Sequence, residues 1–424
     1  MNKKLKVVLI GAGNRGITYT DIMAKYPENF EVVAVAEPIK SRRDHVKDRH
    51  NIDEKYCFED YKPLLELGKI ADIAVISTMD REHYDATMQA IGLKYDVMLE
   101  KPIAPTASEC LEITKSAKEN GVKILICTVL RYTAFFNKIK EIIDSGTLGR
   151  VMAIDHTEAV GNIHQTHSFV RGNWGNSKRS SSMLLQKSCH DIDILEWLIG
   201  KKCKKVQSFG TRSFFTRENA PSGSAEYCIG GCKYGESCPY NAVKLYLDDK
   251  KNYWFRSTST REDAPSDQTV ENALRNTQYG KCVYKCDNDV VDHQTVNMFF
   301  DGDVTVTFNM NAFSTGDRTI HIMGTKCDLY ASMNGNDTPI RIVDLITKKE
   351  TVIPVSGKDG IVGGHGGGDE GIVNTLYDYI LDNYRGNRVP EIEESCYNHM
   401  IVFAAEKSRE NGTVEDVDKF LADL

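Results

Sequence analysis

The feature that most constrains this chain is its opening. A β-branched run, Lys4 to Ile10, is broken by Gly11-Ala12-Gly13-Asn14-Arg15-Gly16 and followed by helical composition from about Ile17 to Lys25. Strand, glycine loop and helix in that order bring backbone N–H groups to a helix N-terminus, which is where a pyrophosphate binds. Gly11 serves the tight turn, Gly13 lets backbone approach the anion, and Gly16 lets the helix pack on the strand. Asn14 and Arg15 lie inside the same loop. A second apolar run, Val32 to Ala36, ends at Glu37, whose carboxylate can accept hydrogen bonds from adenosine ribose hydroxyls and so favours NAD. Arg42 and Arg43 follow, and guanidinium groups there can clamp a 2′-phosphate instead, which leaves NADP open.

The alternation continues. Ile73 to Ile76, Val97 to Leu99 and Lys123 to Cys127 read as strands, with Arg42 to His50, His83 to Ile91 and Ser108 to Asn120 as helices. Such spacing predicts right-handed crossovers and a parallel sheet. After Thr128 the rhythm changes to a helix, Phe135 to Asp144, and strand-like segments at Val151 to His156, Val206 to Thr211, Val304 to Met310 and Thr319 to Met323, several of them alternating apolar and polar. At 424 residues the chain exceeds one ordinary core. The expectation is an α/β dinucleotide-binding domain, 1–128, and an α+β domain, 129–424, whose final helices have room to pack back on the first. Ser257 to Asp267 reads as a mobile polar excursion.

A net charge of -7 gives no general basic field, so nucleic acid and anionic membrane are excluded as expected partners. No stretch approaches the roughly 20 apolar residues of a membrane span. The first eleven residues are too short in apolar run for an export leader, and twelve cysteines then read as reduced thiols of a cytoplasmic protein. Cys228, Cys232, Cys238 and Cys282 could hold structural zinc, but their spacing is not that of a zinc ribbon and free thiols are the simpler reading. Hydride transfer needs no catalytic metal.

Two further motifs carry chemistry. Glu100-Lys101-Pro102 ends a buried strand at the sheet edge where ligands bind, and a lysine there can hydrogen-bond a substrate oxygen and relay a proton. Lys187-Ser188-Cys189-His190-Asp191-Ile192-Asp193 leads into an amphipathic helix. His190 is expected in its first turn, where the helix N-terminus would keep the imidazole neutral, with Asp191 and Asp193 as helix-end electrostatics.

On these residues, with Arg131-Tyr132 before a helix ending at Gly146 and a last helix around His399 to Ser408, the chain resembles the glucose-fructose oxidoreductase, inositol dehydrogenase and rhizopine-catabolism (Gfo/Idh/MocA) family over nearly its whole length. The resemblance implies a Rossmann domain plus an α+β domain on a large, mostly antiparallel open sheet, whose face often joins subunits, hence a homodimer or homotetramer. It implies NAD or NADP as cofactor, a small-molecule carbohydrate or cyclitol substrate, and Lys101 with His190 as the acid/base pair. One departure is notable: many polyol dehydrogenases of the family carry an aspartate four residues before the histidine, where this chain has Gln186, followed by Lys187.

The expected reaction is oxidation of a secondary hydroxyl to a ketone. Arg131 and Tyr132 would position cofactor or substrate, and Gln186 and Lys187 would hold neighbouring hydroxyls. Trp174 could stack on a sugar face, with core packing as the alternative. His365 could reach a hydroxyl from a glycine-rich loop, and Asp369 reads as the N-cap of a helix from Glu370 to Leu381. Two other readings stay open: an NAD-recycling redox glycosidase or sugar lyase, and a non-catalytic dinucleotide or sugar sensor.

Overall fold

The computed structural model describes residues 3–333, 339–355 and 364–424, the side chain of His365 excepted. The strand at the centre of the first sheet, β1 (Leu5–Ile10), is buried at all but one position, as a parallel strand covered on both faces must be. The sheet continues with β2 (Phe30–Ala36), β3 (Cys57–Phe58), β4 (Ile73–Ile76), β5 (Asp96–Leu99) and β6 (Ile124–Ile126) in the spatial order β3-β2-β1-β4-β5-β6. All its pairings are parallel. Between them run α1 (Asn14–Met23), α2 (Lys40–His50), α3 (Tyr61–Glu66), α4 (His83–Gly92) and α5 (Ala107–Asn120).

The second sheet has nine strands in the order β14-β13-β12-β11-β7-β10-β9-β8-β15. They are β7 (Val151–Ala159), β8 (Cys203–Thr211), β9 (His293–Phe300), β10 (Val304–Asn311), β11 (Asp317–Gly324), β12 (Cys327–Ser332), β13 (Ile340–Asp344), β14 (Glu350–Ile353) and β15 (Val414–Asp416). Only β10 and β7 pair in parallel. Burial alternates along β9 and β10, so one face is covered and the other open. The remaining helices are α6 (Ala134–Asp144), α7 (Asn162–Gln165), α8 (Met183–Ile199), α9 (Tyr253–Thr260), α10 (Asp267–Asn276), α11 (Gly368–Ile380), α12 (Ile392–Asn411) and α13 (Val417–Ala422). Ile372, Val373 and Leu376 of α11 share a core with Leu5, Val7 and Leu9, so this late helix completes the first sheet's layer.

Three local expectations are corrected. The helix carrying His190 begins at Met183, capped by Ser182 Oγ, which accepts from the Leu185 N–H. His190 therefore sits two turns into α8, beyond the first turn where the N-terminal dipole acts. The cap was missed because the apolar run Met183–Leu185 carries no polar punctuation. Secondly, Ser257–Asp267 is no mobile excursion: it holds the end of α9 and the start of α10, capped by Asn252 and Ser266. Phe255, Val270 and Leu274 bury their side chains with Tyr246 in a small core of their own. Thirdly, α11 starts from Gly367 at φ 87°, and Asp369 lies in its first turn instead of capping it.

Candidate active site

The glycine loop is built by close backbone packing. Gly11 has φ 88°, and a Cβ there would meet the Ser77 carbonyl at 2.7 Å. A Cβ on Gly16 would stand 2.1 Å from the Gly11 oxygen, whereas one on Gly13 would meet nothing within 4 Å. The first two positions are closed by the protein; the third faces open space, where a pyrophosphate can approach. Gly13 is also the N-cap of α1, which has no side-chain cap and no acid in its first turn, so the helix end presents its N–H groups and positive dipole to an anion. These residues fit a nicotinamide dinucleotide.

Glu37 ends β2 and accepts from the N–H groups of Ala12 (2.7 Å) and Ile39 (3.0 Å), tying the loop to the strand. The two arginines that follow part company. Arg42 lines the cavity in front of the loop, while Arg43 is buried, donates to the Glu37 carbonyl and pairs with Glu59. Arg43 is therefore withdrawn as a phosphate clamp. Arg15 is a brace: it pairs with Glu100 at 3.0 Å and with Asp369 at 2.5 Å, over the Tyr19 ring. Asn14 is the first residue of α1 and accepts from the Thr18 hydroxyl.

The cavity measures about 1030 Å³. Gly11, Gly13, Glu37, Arg42 and Ser77 form one side. The other comes from the π-helical turn Thr166–Arg171, from Trp174, and from the α9–α10 arm through Arg261, Asn272 and Tyr279. Of this second side, sequence reading named only Trp174 as a candidate site residue. Its one local signal was His164-Gln165-Thr166-His167, whose histidines pack against Trp254, with His167 stacked on Phe255 at 4.0 Å. Burial pushes the pKa of both down to about 3, so they are neutral.

Lys101 follows Glu100 at the end of β5. Burial pushes the Glu100 carboxyl up, but Arg15 and Lys101 hold it below the usual range, so it stays ionised and accepts from Tyr19 at 2.6 Å. Lys101 Nζ donates to the Gln186 carbonyl at 2.8 Å and to Gln186 Oε1 at 3.0 Å. His190 lies four residues further along α8, on the same helix face as Gln186. Nearly every residue of α8 is buried, including Gln186, His190, Asp191, Asp193 and Glu196. Polar groups survive such burial only with partners.

Those partners reassign several expected residues. Arg131 is 1% exposed and forms two 2.8 Å bonds to Asp193, plus a third contact to Glu394. It fastens α8 to the turn after β6 and is placed off the cavity. Tyr132 is buried in the α11 core. Asp191 is held by Arg318 (2.7 Å) and His156 (2.8 Å), and the Arg318 charge with these hydrogen bonds keeps it below the usual carboxylate range although burial pushes the other way. Asp191 and Asp193 thus serve tertiary ion pairs in place of helix-end electrostatics. Lys187 pairs with Glu158 at 3.1 Å. Trp174 lines the cavity and also lies against Phe169. The His365 side chain lies outside the described residues.

Cys228, Cys232, Cys238 and Cys282 gather with Arg171 around a separate cavity of about 30 Å³. Among the described residues, no group of three or more His, Cys, Asp and Glu side chains is arranged to hold a metal ion, so the zinc expectation is not carried forward. Nor is any helix among them long and apolar enough to cross a membrane.

Residues 5–128 match the model of the oxidoreductase family with an NAD-binding Rossmann fold, and residues 136–234 match the Gfo/Idh/MocA C-terminal domain. The chain belongs to the Gfo/Idh/MocA family. Its first domain is the family's NAD-binding Rossmann domain, and the cofactor is NAD. The chain is similar to the oxidoreductase YteT of Bacillus subtilis, at 24% identity over 88% of each chain. It is 26% identical to inositol 2-dehydrogenase of Salmonella typhimurium over 49% of this chain and 58% of that one, so it spans little more than half of that relative. Among solved structures, levoglucosan dehydrogenase in complex with NADH and levoglucosan matches with TM-score 0.72 at 14% identity, over 98% of this chain and 100% of the other. A super-repressor mutant of Gal80p from Saccharomyces cerevisiae matches with TM-score 0.71 at 15% identity, over 99% of both. At such identities the Gfo/Idh/MocA fold is shared, and the chemistry has to be argued from the site.

Proposed function

We propose that this Gfo/Idh/MocA protein is a dehydrogenase that oxidises a secondary hydroxyl of a sugar, inositol or glycoside to a ketone, with Lys101 and His190 handling the proton. The observation that carries the reading is the anchoring of Lys101, held by two oxygens of Gln186 one helical turn before His190. Bound NAD would supply the hydride acceptor. His190 accepts the hydroxyl proton. Lys101 donates a hydrogen bond to the same oxygen and holds the negative charge that develops on it. Gln186 keeps the ammonium in place by accepting its other protons, and Lys187, shared with Glu158, reaches a neighbouring hydroxyl. The substrate class follows the relatives named for inositol and levoglucosan. Exposed Phe209 and Phe299 on the open face of the second sheet support assembly of two copies there.

The test is a panel of sugars, inositols and glycosides with NAD⁺ and with NADP⁺, followed at the nicotinamide absorbance. Lys101→Ala should lower turnover by roughly 10²–10⁴-fold while NADH still binds; unchanged turnover overturns the assignment. Solvent deuterium entering recovered product without NADH accumulation would replace the dehydrogenase by a recycling glycosidase or lyase. Binding without conversion or exchange of any panel member would leave a sensor.

A further inference from the structure

Opposite the glycine loop, the part of the cavity wall formed by residues 258–279 is unexplained by the family match, which ends at residue 234. The α9–α10 arm lies wholly beyond it. Among the cavity-lining residues, the acids are Glu37 and Glu82, while Arg42, Arg171, Arg179 and Arg261 are cationic, in a chain whose net charge is -7. Arg179 is taken up by Asp287. Among the described residues, Arg42, Arg171 and Arg261 have no carboxylate partner. Arg171 is 2% exposed; its Nε and Nη2 donate to the Lys281 and Tyr240 carbonyls, while its Nη1, Ser168 Oγ and Asn173 Nδ2 on the same stretch of cavity lining have no hydrogen-bond partner among the described residues. Buried donors and a buried cation left in this state are costly, which points to an anionic ligand as the missing partner.

Arg261 adds a backbone observation. It caps α9 at φ 63°, ψ 20°, a left-handed conformation that usually falls to glycine or asparagine. Strain of this kind is tolerated where the side chain is needed in place. The arm that carries it is braced. Arg256 ties α9 to the Tyr246 and Pro265 carbonyls and to Asp267 at 2.8 Å, and the apolar core under both helices fixes their relative position. A surface fixed in advance binds without a large ordering cost.

We propose that the α9–α10 arm is a second binding wall for the dinucleotide, with Arg261 contacting its phosphates and Asn272 hydrogen-bonding beside it. This rests on the reading that the cavity in front of Gly13 holds the cofactor. The pyrophosphate is then received between two unlike surfaces, the N–H groups of α1 and the guanidinium of the arm, and part of the affinity belongs to residues outside the Rossmann domain.

The experiment is calorimetric titration of the full chain with NADH and with NADPH, alongside Arg261→Ala, Arg261→Lys and Asn272→Ala, each checked for an unchanged thermal melt. Release rates come from stopped-flow displacement. Arg261→Ala should raise the dissociation constant about tenfold, as expected for loss of one charge-assisted hydrogen bond, and should speed release; Arg261→Lys should recover part of it. Rising salt should weaken the parent more than Arg261→Ala. An effect on both nucleotides assigns the contact to the pyrophosphate and supports the wall; an effect confined to NADPH assigns it to the 2′-phosphate and overturns the pyrophosphate contact. Parent-like affinity in both Arg261→Ala and Asn272→Ala overturns it. A parent that binds neither nucleotide overturns the cofactor reading itself.

Discussion

The glycine loop and the helix that carries His190 are built on different physics. The glycine-loop side is held by backbone contact: Gly11, Gly16 and Ser77 close on one another with no space for a Cβ. Helix α8, whose residues do not line the cavity, is held by charge, with Arg131, Asp193, Arg318, Asp191 and Glu158 forming ion pairs inside the protein. The first should fail by crowding and be indifferent to pH. The second should fail when a charge loses its partner, because an uncompensated buried ion costs more than a lost contact.

The largest stability effect is expected on the charged side. Arg131→Ala leaves Asp193 buried without its guanidinium and should cost roughly 3–5 kcal/mol in a denaturant melt; a loss within surface-mutation scatter would break the contrast. On the steric side, Gly16→Val drives a side chain into the Gly11 carbonyl. It should abolish NADH binding in a titration and cost roughly 1–3 kcal/mol. Retained binding would mean that the loop relaxes more freely than its backbone contacts imply.

The pH dependence sharpens the comparison further. Burial, aided by Glu394, pushes the Glu196 carboxyl up to about 8. Its folded pKa is therefore raised above the unfolded value near 4.5, so its stabilising contribution is full below that value and is lost as pH rises through about 8. Glu196→Gln should flatten the fall in stability between about pH 4.5 and 8. Gly16→Val should leave that slope as it is. The same fall in the Gln variant would show that Glu196 is not its source.

The first sheet was legible because each strand–helix unit is local. Val32 to Ala36 and Ile73 to Ile76 fall within β2 and β4 as found, and Glu37 stands where β2 ends. The second sheet was legible only in part. β9 alternates buried and open positions and pairs with β10 through a short hairpin, yet it was passed over; its other partner, β8, lies across a long insertion. The start of α8 was misplaced for a related reason: its cap, Ser182, lies in a run of serines, any of which could begin a helix. Lys101 and His190 were named as candidates from their motifs; Gln186 as the lysine's anchor and Arg131 as a helix fastener were not.

By itself the sequence determined the glycine loop, the parallel alternation and the lysine at the β5 edge. Those depend on backbone geometry over a few residues, where glycine, proline and apolar period leave few choices. Tertiary structure alone decided which charges face the cleft. Arg15 is turned from the cofactor by Asp369, 354 residues away, and Arg42 and Arg43 are adjacent in sequence yet point to different fates. A side chain's direction is set by whichever partner satisfies its charge, and that partner is chosen by the fold.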